Sequence, residues 1–278
     1  MYLRPETNGV LTESTLLNVL RKNRVYAEHA PVVYLANLPG EFLVSRHIIE
    51  DHYRCKIDFA RRGGALFTPS MIKRFEDRFN VPFETAEVLG AYQFIEKTGM
   101  DEERLFRVWV DNRNFAVLNG QTIKRLDDVF VVNYDIPALL HKNNRNTDIA
   151  VFLLRSTLTP EEFRYMIRDM ETSLIDVGVL DRGTPPSRAF HYSKGPFEQI
   201  LDALGFLYRQ DCSHVPLESL CFSRFLLNRG ISKESILNIL DNPIRPLRYP
   251  DGKEAENNIF TFTAGMDYET ARRSVWWD

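Results

Sequence analysis

The chain has 278 residues, 44% of them apolar, and a formal charge of −3 from 35 basic and 38 acidic side chains. That is enough apolar content for a globular core and excludes disorder as the main state; no global field draws the protein to nucleic acid or an anionic membrane. Neither an apolar run near the roughly 18 residues of a spanning helix nor the apolar stretch of a signal peptide after Met1 is present, so a soluble cytoplasmic protein is expected, or a virion protein if the source is viral.

Residues 1–11, with Pro5, Asn8 and Gly9, read as an extended N-terminal arm. A first helix is predicted from Thr12 to about Ala27, entered by a Leu11/Leu16 staple. Pro31–Ala36 and Glu41–Val44 suit two short strands around Asn37-Leu38-Pro39-Gly40. A third strand is predicted over Tyr53–Phe59, where Tyr53, Cys55, Ile57 and Phe59 alternate with polar residues. After Arg61-Arg62-Gly63-Gly64 the pattern turns helical, with starts at Phe67-Thr68-Pro69, near Glu84 and at Met100-Asp101. For 105–121 a hairpin turning at Asp111–Asn114 is preferred to a single helix, with Val129–Val132 as a neighbouring strand.

The polar run His141–Asn146 marks a boundary between halves. A helix over Thr147–Arg155 is expected next, then a fuller helix start at Leu158-Thr159-Pro160-Glu161-Glu162-Phe163. Residues 181–195 form a long loop. From Pro196 to Leu240 the apolar spacing predicts three helical segments, the last capped by Ser232. Three prolines within 242–252 make that stretch an extended surface segment, followed by the aromatic tail. The predicted fold is therefore α+β and predominantly helical, with a mixed N-terminal half holding a small antiparallel sheet, a helical C-terminal half and extended arms at both ends. Its divisions are 1–11, 12–141, 147–241 and 242–278.

Several constellations bear on chemistry. His47, Glu50 and His52 form the densest group of metal-ligand types, but an intervening Asp51 breaks the His-x-x-Glu-His pattern. On a helix the two histidines stand about 140° apart, so a polar stretch between elements is the preferred reading. Cys212, His214 and Cys221 lack paired zinc-ligand spacing, and three cysteines with Cys55 indicate reduced thiols, not a disulfide framework. Between Arg54 and Arg78 seven basic residues stand against three acidic ones, which offers Arg61, Arg62, Lys73 and Arg74 as phosphate or nucleic-acid contacts. No nucleotide loop, nucleophile elbow, kinase set or calcium loop is found. Ser232–Ser235 after Arg229-Gly230 lacks the row of cations a DNA-reading helix needs.

The aromatic tail gives the positive argument. Each tryptophan brings roughly 150–250 Å² that favours burial, yet Trp276 and Trp277 stand at the chain end with Phe260 and Phe262 upstream. The chain's own body or another subunit must cover them. The expectation is a structural or assembly protein, such as a virus or phage particle component, whose partners are protein subunits and whose arms, including Phe260, Phe262, Trp276 and Trp277, hold its neighbours. No cofactor and no membrane contact are expected. A nucleic-acid-binding protein and a metal-dependent or Cys/His hydrolase are the alternatives.

Overall fold

The computed structural model describes residues 1–184 and 186–276. It is a mixed α/β protein, 51% helical and 17% strand, with three small sheets. The strands in chain order are β1 (Tyr2–Leu3), β2 (Val32–Leu38), β3 (Glu87–Gly90), β4 (Phe115–Leu118), β5 (Gln121–Leu126), β6 (Val129–Val132), β7 (Ile149–Leu154), β8 (Phe190–His191), β9 (Ile244–Arg248) and β10 (Glu254–Asn258). The chain divides into two units, one of residues 1–48, 142–193 and 206–208, the other of 49–141, 194–205 and 209–278.

The first unit is built on an antiparallel sheet in the order β2-β7-β1-β8. The run Ile149–Leu154, expected as helix, is instead strand β7. Its apolar residues are continuous because the strand lies between β2 and β1 and is buried on both faces over Ile149–Phe152. Residues 2–3, expected in a free arm, pair with β7 and β8 and are fully buried. Helices Val10–Lys22 and Pro160–Asp176 cover one face through Leu16, Leu20, Met166, Met170 and Leu174. Glu41–Val44 is helical within Gly40–Ser45, where Asp148 Oδ1 accepts the Gly40 N–H at 3.0 Å.

In the second unit a sheet runs β3-β6-β5-β4, with β3 parallel to β6 and the other pairs antiparallel. The expected strand Tyr53–Phe59 is a helix, Arg54–Arg62. Its alternating pattern is two interleaved i,i+4 stripes: Cys55 and Phe59 pack into the cluster around Phe75 and Phe130, while Tyr53 and Ile57 pack with Phe94, Leu105 and Ile136. The predicted helix from Glu84 opens instead with β3 and becomes helical at Ala91–Thr98. Asp111–Asn114 does turn, but Phe115–Leu118 pairs forward with β5, because Asn119 and Gly120 (φ 48° and 78°) supply a two-residue hairpin loop.

Four of the predicted helix starts carry their caps: Thr68, Asp101, Thr159 and Ser232 accept the backbone N–H of Met71, Arg104, Glu162 and Ser235. The first helix begins two residues before Thr12, at Val10. Within 196–241 the three helical stretches are Pro196–Phe206, Cys221–Leu227 and Lys233–Asp241. The segment after Pro243, expected to lie extended over the surface, forms the β9–β10 hairpin. One face of that hairpin buries Leu247 against Phe197, Phe222 and Ile259, and the other sets Ile244 against the Phe75 cluster.

Candidate protein-docking surface

Strand β2 ends the sheet of the first unit: it pairs with β7 and, among the described residues, with nothing on its outer side. Its sequence, Val32-Val33-Tyr34-Leu35-Ala36-Asn37-Leu38, contains no charged residue. Val33 and Leu35 are each 50% exposed. Natural edges are usually blunted by charges, proline or bulges; β2 contains no charge and no proline, and its one such device is the bulge-type register shift between Val32 and Tyr34. The inner side is firmly held. Tyr34 Oη accepts the Tyr208 N–H at 3.3 Å, and Asn37 Nδ2 donates to Asp148 Oδ2 at 3.0 Å. Asn8 bridges the end of the strand, donating to Asn37 Oδ1 and accepting from the Ala150 N–H. Two residues after Asn8 the helix Val10–Lys22 opens with Val10 and Leu11, both exposed.

In the second unit the large apolar side chains exposed among the described residues are Trp109, Val117 and Leu237, and Trp109 is the most exposed, at 82%. Its loop is anchored by Lys124 of β5, a buried lysine whose ammonium donates to Phe106 O (3.2 Å) and Val108 O (2.5 Å) and lies 3.6 Å from the Tyr134 ring centre. The lysine thus answers carbonyls at the end of helix Glu102–Arg107, where a cation is favoured. Asp111 then fixes the chain by accepting the Arg113 and Asn114 N–H groups.

The residues singled out in the sequence lie elsewhere. His47 and Glu50 are exposed; the His52 side chain is buried, and its Nε2 lies 3.4 Å from Asp202 Oδ1. Asp202 was missed because it is one of three polar residues, with Glu198 and Gln199, in an otherwise apolar helix, Pro196–Phe206. Cys212 and Cys221 are exposed, while burial, with Asp58 adding to it, pushes the Cys55 thiol up to about 11.

In the basic region Gly63 closes the α-helix Arg54–Arg62 and opens only a single 3-10 turn, Gly63–Leu66. The backbone N–H groups of an α-helix start, which bind anions, are therefore not what Arg61 and Arg62 flank; the two side chains sit in the last turn of Arg54–Arg62, where cations complement the dipole. Arg74 donates to Asn119 Oδ1 and Arg78 to the carbonyls of Asn112 and Phe115. Arg61, Arg62 and Lys73 are exposed. Of the tail residues, Trp276 packs 6.0 Å from the Phe197 ring, Phe262 4.7 Å from Tyr249, and Phe260 against the same cluster as Phe197. Trp277 lies outside the described residues.

No described helix is long and apolar enough to cross a membrane. No protein-family model matches the chain, and neither a curated protein nor a solved structure does.

Proposed function

We propose that the protein is an assembly subunit whose partners are other protein chains, met through the open edge of the first unit. The observation that carries this reading is β2: seven uncharged residues at a sheet edge, with Val33 and Leu35 half exposed. An edge strand offers a row of backbone donors and acceptors, and burying the remaining surface of a Val or Leu contributes about 1 kcal/mol each. In this reading the helical block after Pro196 is a support, and Phe260, Phe262 and Trp276 serve its packing more than they reach a neighbour. Mass measurement of the full-length protein from its native source tests the proposal. A particle heavier than one chain is expected; a single chain with no bound protein at the highest soluble concentration overturns it.

A further inference from the structure

The second unit carries a site that does not depend on the assembly reading: we infer that Arg245, with Asn257 and Tyr249, binds a carboxylate group on the β9–β10 hairpin. Arg245 stands on the same side of β9 as Leu247, the side packed against Phe197, Phe222 and Ile259, and its cross-strand partner is Asn257. Its Nη1 is shut off from solvent, and no described residue accepts a hydrogen bond from the guanidinium or pairs with it. Arg74, Arg125, Arg248 and Arg272 are half-buried too, and each bonds or pairs with an oxygen of the chain. Arg61, Arg62, Arg104 and Arg224 are open to water. Arg245 has neither arrangement. The acids of the hairpin alternate to its other side, where Glu254 takes Arg248 and Glu256 takes Thr68 and Asn119. Asp251 in the turn meets Lys253, and Asp241 before the hairpin meets Arg54. Burial with no opposite charge beside it accordingly holds the Arg245 pKa below its ordinary value. A cation desolvated in this way is a cost that a bound anion removes.

The groups next to Arg245 on that side are donors. Asn257 Oδ1 accepts the Asn258 N–H, which leaves its Nδ2 to donate to Tyr249 Oη at 3.5 Å. That contact uses one amide hydrogen; no described residue accepts the other, or the Tyr249 hydroxyl proton. Tyr249 is steadied by the Phe262 ring, with centroids 4.7 Å apart. All three side chains are half-buried, so a ligand reaches them from solvent. The charge count selects a carboxylate. Arg245 brings one positive charge, and the other cations of the hairpin, Arg248 and Lys253, are already taken by Glu254 and Asp251. One cation balances one carboxylate, whereas a phosphate dianion keeps an unbalanced charge in a half-buried place. The guanidinium fork also matches the two oxygens of a carboxylate. That carboxylate belongs to a free organic acid or to a side chain of a protein partner.

The test is an NMR titration of the full-length, nitrogen-labelled protein that follows the Arg245 Nε–H signal, identified by its loss in Arg245→Gln. Sodium acetate is expected to shift the signal saturably, and sodium chloride at equal ionic strength is not. Tyr249→Phe should raise the acetate Kd about three- to tenfold through the lost donor. Thermal unfolding gives a second readout. Without acetate, Arg245→Met is expected to melt at the wild-type temperature or higher, because it removes a charge that nothing balances. Acetate should then raise the Tm of the wild type and not of the variant. An arginine that merely supports the fold does the reverse, lowering Tm on substitution with or without acetate. An Arg245 signal unmoved by acetate, or a shift that chloride reproduces, overturns the inference, as does an Arg245→Met protein that melts lower and gains as much from acetate as the wild type. A peptide with a single glutamate that binds more tightly than its glutamine counterpart and than acetate assigns the carboxylate to a protein partner; tighter binding of acetate assigns a free acid.

Discussion

Gly63 and Gly90 meet backbone to backbone: a Cβ on Gly63 would stand 2.4 Å from the Gly90 N, and one on Gly90 would stand 2.3 Å from the Ala60 O. Gly63 also holds φ at 54° with ψ at −132°, a conformation costly for any residue with a side chain. This close approach seats the end of helix Arg54–Arg62 on the end of β3 and explains the glycines after Arg61 and Arg62 by packing. Gly63→Ala is expected to destabilise the protein by about 3 kcal/mol or more. Arg61→Glu with Arg62→Glu, on exposed side chains, should cost much less. Urea unfolding of the variants checks the contrast; an alanine at 63 tolerated within experimental error contradicts the packing account.

Lys124 and Trp109 should separate support from surface. Lys124→Met removes the ammonium from two carbonyls and the Tyr134 ring, so a loss of about 2 kcal/mol is expected. Trp109→Ala removes a side chain that is 82% in water and should change stability by no more than about 0.5 kcal/mol. Thermal unfolding of both variants measures the difference. A large loss at Trp109 means that the indole is held by contacts its exposure does not suggest.

The caps explain how far the sequence could be read. Thr68, Asp101, Thr159 and Ser232 act on N–H groups three residues away, so their chemistry is local and legible. Tyr53–Phe59 misleads because its helix faces two clusters at once, and a double stripe at i,i+4 imitates strand alternation. Asn119-Gly120 was a readable hairpin signal, overlooked in favour of the Asn-rich tetrad before it. The open edge of β2 was not readable: it depends on β7, more than a hundred residues away, taking one side of the strand while nothing described takes the other. The exposure of Trp109 likewise depends on a lysine fifteen residues on, whose burial periodicity does not announce.

Glu256 joins three parts of the second unit. Its Oε1 accepts from Thr68 Oγ1 at 2.5 Å and Asn119 Nδ2 at 2.8 Å, and Arg74 reaches both Asn119 and the Glu256 carbonyl. The β9–β10 hairpin is thereby tied to the start of helix Pro69–Phe79 and to the β4–β5 turn. Glu256→Ala is expected to cost about 2 kcal/mol, and combining it with Thr68→Val should be non-additive by more than about 0.5 kcal/mol because the two share one bond. A double-mutant cycle from chemical denaturation gives the coupling directly. Strict additivity would show that the hydroxyl and carboxylate act independently.

The Tyr26–Asp169 bond makes an alkaline prediction. Tyr26 is buried, and its hydroxyl donates to Asp169 Oδ2 at 2.6 Å. Burial first, then the hydrogen bond and the carboxylate's charge, push its pKa from 10.0 up to about 12. The folded state therefore holds this proton more tightly than the unfolded chain. The resulting stability is fully present below pH 10 and is lost as the pH rises from 10 towards about 12. Tyr26→Phe cannot ionise, so it should cost about 1 kcal/mol at neutral pH yet lose less on going alkaline. Melting temperatures of the two proteins, followed from pH 8 upward, are expected to converge through that window. Parallel curves would mean that the phenol titrates alike in both states and that its bond to Asp169 contributes nothing to the alkaline limit of the fold.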